Sequence, residues 1–209
     1  KVKGRQTHGA VPWGGVDPIV VAAQIVLGLQ TIPSRQLDST LTPSIVTIGK
    51  IQGGVRSNII PDDVEMLGTI RTFDQTVRED IHVRMVRTVS LIAESAGATA
   101  EVQILAGTPV TSNDPMLTRL MVPTLERVVG QAQVSISPRT TTAEDFAYYQ
   151  QQIPGMFFFL GVANPLDPAP ASNHSPYFYA DERALPVGAR LMTNLALDYL
   201  RLAGADKAP

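Results

Sequence analysis

His174 stands in the loop sequence Asn173-His174-Ser175-Pro176-Tyr177-Phe178, just ahead of Asp181-Glu182 and a long apolar helical pattern. Imidazole is the commonest metal-ligating side chain and titrates near neutrality. A loop held by a rigid scaffold is where such a group does chemistry. A second loop histidine, His8, lies near the other end, in Gly4-Arg5-Gln6-Thr7-His8-Gly9-Ala10. Asn58, Arg71 and the pair Glu144-Asp145 are the other polar residues placed in or beside loops. Each of these also fits a plain structural role. A loop histidine can be solvated or cap a helix. Asn58, after Gly53-Gly54, can be a turn residue. Arg71 can sit on an exposed strand face, and Glu144-Asp145 can complement a helix dipole. On spacing alone these simpler roles are the stronger reading. His82, among Arg78, Glu79, Asp80 and Arg84, reads as solvated helix surface. The chain carries no phosphate loop, no serine nucleophile elbow and no HExxH pair.

The elements that must position these residues come from a chain of 209 residues, ample for a substantial core. It is 44% hydrophobic and 17% charged, with a net charge of −2. No basic field exists to draw nucleic acid or an anionic membrane surface. No run of apolar residues is long enough for a transmembrane helix. Cysteine is absent, so neither a disulfide nor a thiolate comes from this chain, and the compartment stays open. The first residue is Lys1, and Lys1-Val2-Lys3-Gly4 reads as a chain entered midway.

Residues 1–10 read as a short strand running into a loop. Asp17 and Pro18 start a helix, with apolar spacing that lasts to about Leu29. β-branched alternation predicts a strand over Pro43 to Ile51. A second strand follows from Asn58 to Thr72, with Pro61-Asp62-Asp63 as a bulge or turn. Asp74 caps a helix running to about Ala96, and a strand covers Thr99 to Leu105. The order β-α-β-β-α-β over residues 1–107 is the ferredoxin-like one. Composition shifts at Gly107-Thr108-Pro109, where a domain boundary is expected. Residues 108–209 read as a helix at Pro115 to Val129, a short strand at Gln133 to Ile136 and a short helix containing Glu144, Asp145 and Phe146. A buried strand follows at Met156 to Gly161, then a long loop over 162–176 and a final helix from Asp181 to Leu202. Strands alternating with helices point to α/β layering. Two strands make a poor sheet, so this segment reads as part of a larger one.

Taken together, the strings GRQTHGAVPWGGVDPI, GKIQGGVRSNIIPDDVEMLGTIR, TTTAEDFAYY, PGMFFFLGV and NHSPYFYADERALPVGARLM resemble one family. It is the zinc-dependent amidohydrolases that include aminoacylase, hippurate hydrolase, indole-acetyl-amino-acid hydrolase, carboxypeptidase G and succinyl-diaminopimelate desuccinylase. The strings fall in family order over residues 4–192, and the His-Ser-Pro-x-Phe ending is most similar to the aminoacylase and hippurate-hydrolase branch.

The resemblance implies an α/β catalytic domain, split in sequence, with a ferredoxin-like (α+β) lid inserted between its halves. Residues 1–107 then match the lid and dimerisation domain, and 108–209 match the second half of the catalytic domain. The first half supplies most metal ligands and the catalytic glutamate of the family, so this chain alone is expected to be inactive. The implied reaction is hydrolysis of the amide bond of N-acyl amino acids or small peptides by a metal-activated water. The implied cofactor is a pair of divalent metals per site: zinc, or manganese, cobalt or nickel. The implied partner is a second copy, giving a homodimer through the lid, with no nucleic acid and no membrane. His174 matches the last metal ligand. His8 matches the lid histidine that reaches the neighbouring subunit's active site as an oxyanion donor. Asn58 matches a lid residue that hydrogen-bonds substrate there, and Arg71 a lid arginine that holds a substrate carboxylate in a bidentate fork. Glu144-Asp145 matches a family motif that shapes the adjoining loop, without a metal role. The alternative is a non-catalytic dimerisation and substrate-binding fragment, since one histidine cannot hold a catalytic zinc.

Overall fold

Aspartates start the helices where the sequence places them. A computed structural model describes residues 1–205 as two compact units, one of residues 1–110 with 141–145, the other of the remainder. In the first unit, α1 spans Pro18–Thr31 and α2 spans Gln75–Ser95. Asp17 accepts the backbone N–H of Ile19 at 2.9 Å, and Pro18, which has no N–H to satisfy, takes the first helical position. Asp74 accepts from Val77 N–H at 2.9 Å. Two features end these helices. A π-helical turn, Ile32–Gln36, continues α1. Gly97 follows α2 with φ +71°, a conformation most side chains resist.

The strands of this unit are β1 (Val2–Lys3), β2 (Thr7–His8), β3 (Ser44–Gly53), β4 (Ile59–Ile60), β5 (Asp63–Thr72) and β6 (Thr99–Ala100). Four of them form an antiparallel sheet in the order β3-β5-β1-β6. The other two, β2 and β4, pair as a small antiparallel ladder. Side chains alternate between the faces of a strand. Val46 and Ile70 are cross-strand partners facing the helices, and Val64 and Val2 join them in the core. Ile25, Ile32 and Ile81 come from the helical side and are fully buried. Each such side chain contributes about 1.5–3 kcal/mol relative to exposure. The opposite face carries Ile45, Thr47, Leu67 and Arg71, all exposed. A register shift between Ile48 and Lys50 bulges β3.

The second unit holds α3 (Pro115–Val129), α4 (Phe146–Gln150) and α5 (Ala184–Ala205). Asp114 caps α3 by accepting from Leu117 N–H at 2.7 Å. Met121 and Leu125 of α3 and Leu191 of α5 are buried apolar positions of this unit. Asp198 of α5 accepts from Thr124 Oγ1 (2.8 Å) and Arg127 Nη2 (2.5 Å) of α3, tying the two helices together.

Two expected strands of this unit do not form among the described residues. Gln131–Gln133 is a 3-10 turn with extended chain after it, and Met156 to Gly161 belongs to no ladder. A strand needs a neighbour for its backbone groups, and an apolar run says only that burial is favourable. At Phe157 one side chain stands in for that neighbour. Asn113 donates from Nδ2 to Phe157 O at 2.7 Å and accepts Phe157 N–H at 2.8 Å. The helix expected to contain Glu144 and Asp145 starts after them, at Phe146. The strand expected over Thr99 to Leu105 is short, Thr99–Ala100, with one further exchange of bonds between Glu101 and Lys1. Among the described residues no helix is long and apolar enough to cross a membrane.

Candidate functional site

His8 ends β2 opposite Ile59 of β4. The ladder continues by one bond beyond them, from Gly9 N–H to Asn58 O at 2.8 Å. This brings His8 and Asn58, fifty residues apart in sequence, to the same end of one ladder. A Cβ on Gly9 would lie 3.2 Å from the carbonyl carbon and oxygen of Asn58, so glycine sets how closely the chains approach. The turn after His8 is equally fixed. Val11 N–H donates to His8 O at 2.8 Å, and Thr7 Oγ1 donates to Val11 O at 3.1 Å. The imidazole folds back on this turn, its Nδ1 accepting Ala10 N–H at 3.1 Å. Both His8 and Asn58 are exposed.

Arg71 lies near the far end of β5, opposite Ile45, on the face turned away from the helices. Val64 and Arg71 are separated by roughly 23 Å at the rise of a strand. The β2–β4 ladder lies beyond the Val64 end. The unit therefore unites His8 with Asn58 and keeps Arg71 apart from them.

His174, in the second unit, is exposed in a loop made by short-range polar turns. Ser175 N–H donates to Ser172 O at 2.8 Å, Tyr177 N–H to Ser175 Oγ at 3.1 Å, and Phe178 N–H to Ser175 O at 3.1 Å. Asp181 closes the loop: its N–H donates to Val162 O at 2.8 Å. Asp181 is the buried acidic residue among the described residues, at 9% exposure. It accepts from the backbone N–H of Arg183 at 3.0 Å and from Arg183 Nε at 2.9 Å. These hydrogen bonds from Arg183, side chain first and backbone second, hold the Asp181 carboxyl down at a pKa of about 2 against the opposing effect of burial. Sequence reading passed over Asp181 as a site element. Its signal was there: an aspartate two residues before an arginine, ahead of a helix, can form an Asx-type turn that accepts the i+2 backbone N–H. His82, read as surface, is partly buried on α2, where burial first and Arg78 second push its pKa down.

Among the described residues no three His, Cys, Asp or Glu side chains gather to hold a metal ion. A catalytic zinc takes three protein ligands. The described residues therefore do not make such a centre by themselves; His174 offers one ligand of suitable chemistry.

Comparison with known proteins places these observations. The model of peptidase family M20/M25/M40 matches residues 8–198, from the candidate histidine at β2 into α5. The thermostable carboxypeptidase 2 of Saccharolobus solfataricus is 38% identical over 199 residues, covering 95% of this chain and 50% of that protein. The N-acetyl-L-cysteine deacetylase of Bacillus subtilis is 37% identical over 185 residues, covering 88% and 42%. Among solved structures, the Bacillus subtilis YXEP protein, described as a dinuclear metal binding peptidase from the M20 family, superposes with a TM-score of 0.72 at 30% identity, covering 96% of this chain and 49% of that one. The chain spans about half the length of the curated relatives it matches. A family match that runs through both units establishes the conclusion: this chain belongs to peptidase family M20/M25/M40.

Proposed function

We propose that this chain is the lid and second catalytic half of a metal-dependent amidohydrolase that cleaves the amide bond of N-acyl amino acids or small peptides. The observation that carries the reading is the placement of His8 and Asn58, both exposed, at the same end of one two-stranded ladder. The named relatives act on this class of bond, as a carboxypeptidase and an N-acetyl-L-cysteine deacetylase. The strand order β3-β5-β1-β6 with α1 and α2 against it supports a ferredoxin-like lid over residues 1–107. Residues 108–209 then form the catalytic half.

In this proposal His174 supplies one imidazole to a dimetal centre. The remaining ligands come from beyond the described residues of this chain. His8 and Asn58 donate hydrogen bonds to the carbonyl oxygen of the scissile amide as negative charge develops there. Arg71 forks a substrate carboxylate. The distance along β5 keeps Arg71 from sharing one small substrate with His8 of the same lid. That supports a lid-mediated homodimer in which His8 serves the neighbouring subunit.

His174→Ala in the full-length enzyme tests the ligand role. Metal content by elemental analysis and turnover should fall together. Full metal occupancy in the variant rules that role out. The absence of a three-ligand cluster among the described residues favours a second reading, a non-catalytic dimerisation and substrate-binding fragment. Purified chain that turns over an N-acyl amino acid with added metal eliminates it.

A further inference from the structure

The hydrogen bond from Ala10 to the His8 ring has a chemical consequence. A nitrogen that accepts an N–H cannot carry a proton of its own. In the neutral imidazole the proton then resides on the other nitrogen. We propose that the turn Gly9-Ala10-Val11 biases neutral His8 toward the Nε2–H tautomer, presenting its ring as a hydrogen-bond donor away from the turn. Ala10 acts here through its backbone N–H, as a positioning residue.

Several observations hold the turn in place. Ala10 N–H reaches His8 Nδ1 at 3.1 Å. Val11 N–H closes on His8 O at 2.8 Å, and Gly14 N–H closes on Val11 O at 3.0 Å. Gly9 N–H anchors the turn to Asn58 O at 2.8 Å, at a spacing that leaves little room for a Cβ. The backbone N–H of residue 10 is therefore presented to the ring by structure that does not depend on the ring. In that state the Nδ1 lone pair is occupied and Nε2 has none to give. What remains is one N–H directed away from the turn, the group that stabilises a developing oxyanion. A net bond of ordinary strength shifts the tautomer ratio about fivefold.

The inference rests on the reading of His8 as an oxyanion donor, but the two can fail separately. The tautomer is measured without substrate, whereas the donor role is measured by turnover. The experiment is a long-range 1H–15N correlation on the 15N-histidine-labelled chain, at about pH 8, above the usual imidazole range. The His8 signals are identified by their loss in His8→Gln. The folded chain should show a protonated Nε2 and an unprotonated Nδ1. The Nε2–H to Nδ1–H ratio should be about fivefold higher than in the same chain unfolded in urea. Ala10→Pro, which removes the donor, should return the ratio to the unfolded value, while Ala10→Gly should keep it. A folded ratio equal to the unfolded one, or a dominant Nδ1–H, overturns the proposal. That comparison decides the matter even if Ala10→Pro does not fold.

Discussion

At the scale of single residues, the same side-chain type does different work according to what its neighbours take from it. His8 has one nitrogen occupied by the backbone, whereas His174 sits on a loop whose own polar turns set its place. The residue most altered by its surroundings is Asp181. Its carboxyl titrates near 2, below the ordinary value of about 3.9. A depressed carboxylate stabilises the fold fully above its unfolded pKa and loses that contribution as pH falls toward its folded one. Asp181→Asn keeps a side chain able to accept the Arg183 backbone N–H but removes the charge that the Arg183 guanidinium holds. Wild type should resist urea better than this variant at about pH 5, and the two midpoints should converge as pH drops to about 2. A difference that stays constant across that window means the carboxylate is not held as described.

At the scale of elements, what could be read from sequence was what local chemistry fixes. Asp17 and Asp74 announce α1 and α2, and both side chains make the capping bonds; Asp114 caps α3 in the same way, though only the helix after it was read. The alternation of β3 and β5 was legible because one face must be buried. Pairing was not legible. Thr7–His8 and Ile59–Ile60 are too short to show a period, and only their contact makes them strands. Of the candidate site, His8 and Asn58 were recognisable as residue types in strings, but their adjacency depends on that ladder. Met156 to Gly161 failed in the opposite sense, since its apolar content promised a strand that no neighbour among the described residues completes. Packing between α1 and α2 was likewise invisible in sequence. A Cβ on Gly28 would meet Ile92 Cδ1 at 2.5 Å and Thr88 Cγ2 at 3.3 Å. The tip of an isoleucine can yield to one methyl, and alanine recovers about 1 kcal/mol of helix propensity over glycine. Gly28→Ala should therefore be near neutral. Gly28→Val, with more to fit, should cost about 1–3 kcal/mol by urea unfolding. A stabilised valine variant disproves close packing at this crossing.

At the scale of the whole molecule, the two candidate histidines belong to different units of one chain. Under the proposed dimer each active site draws on two chains, and that can be tested by mixing. His8→Ala in the full-length enzyme should lower kcat by the loss of one oxyanion donor, about 2.7–4 kcal/mol, with metal content unchanged. After subunit exchange with His174→Ala, activity should exceed that of either variant alone. One site of the mixed dimer keeps its metal ligand and borrows an intact His8. No recovery in verified heterodimers of folded variants means that His8 does not act across subunits.

The segment that found no ladder has a bearing on how the chain behaves in the tube. Phe157, Phe158 and Phe159 run together without a charge, and Phe159 is 61% exposed. With no strand beside it among the described residues, and only the Phe157 groups taken by Asn113 as a stand-in, such a stretch offers other copies a template to add to. Self-association of the purified chain should therefore begin here and should grow steeply with concentration and mild heating. A lysine at the exposed ring position, Phe159→Lys, puts charge in the middle of the template and should keep more protein in the supernatant after centrifugation. Equal losses from both proteins would place the sticky surface elsewhere.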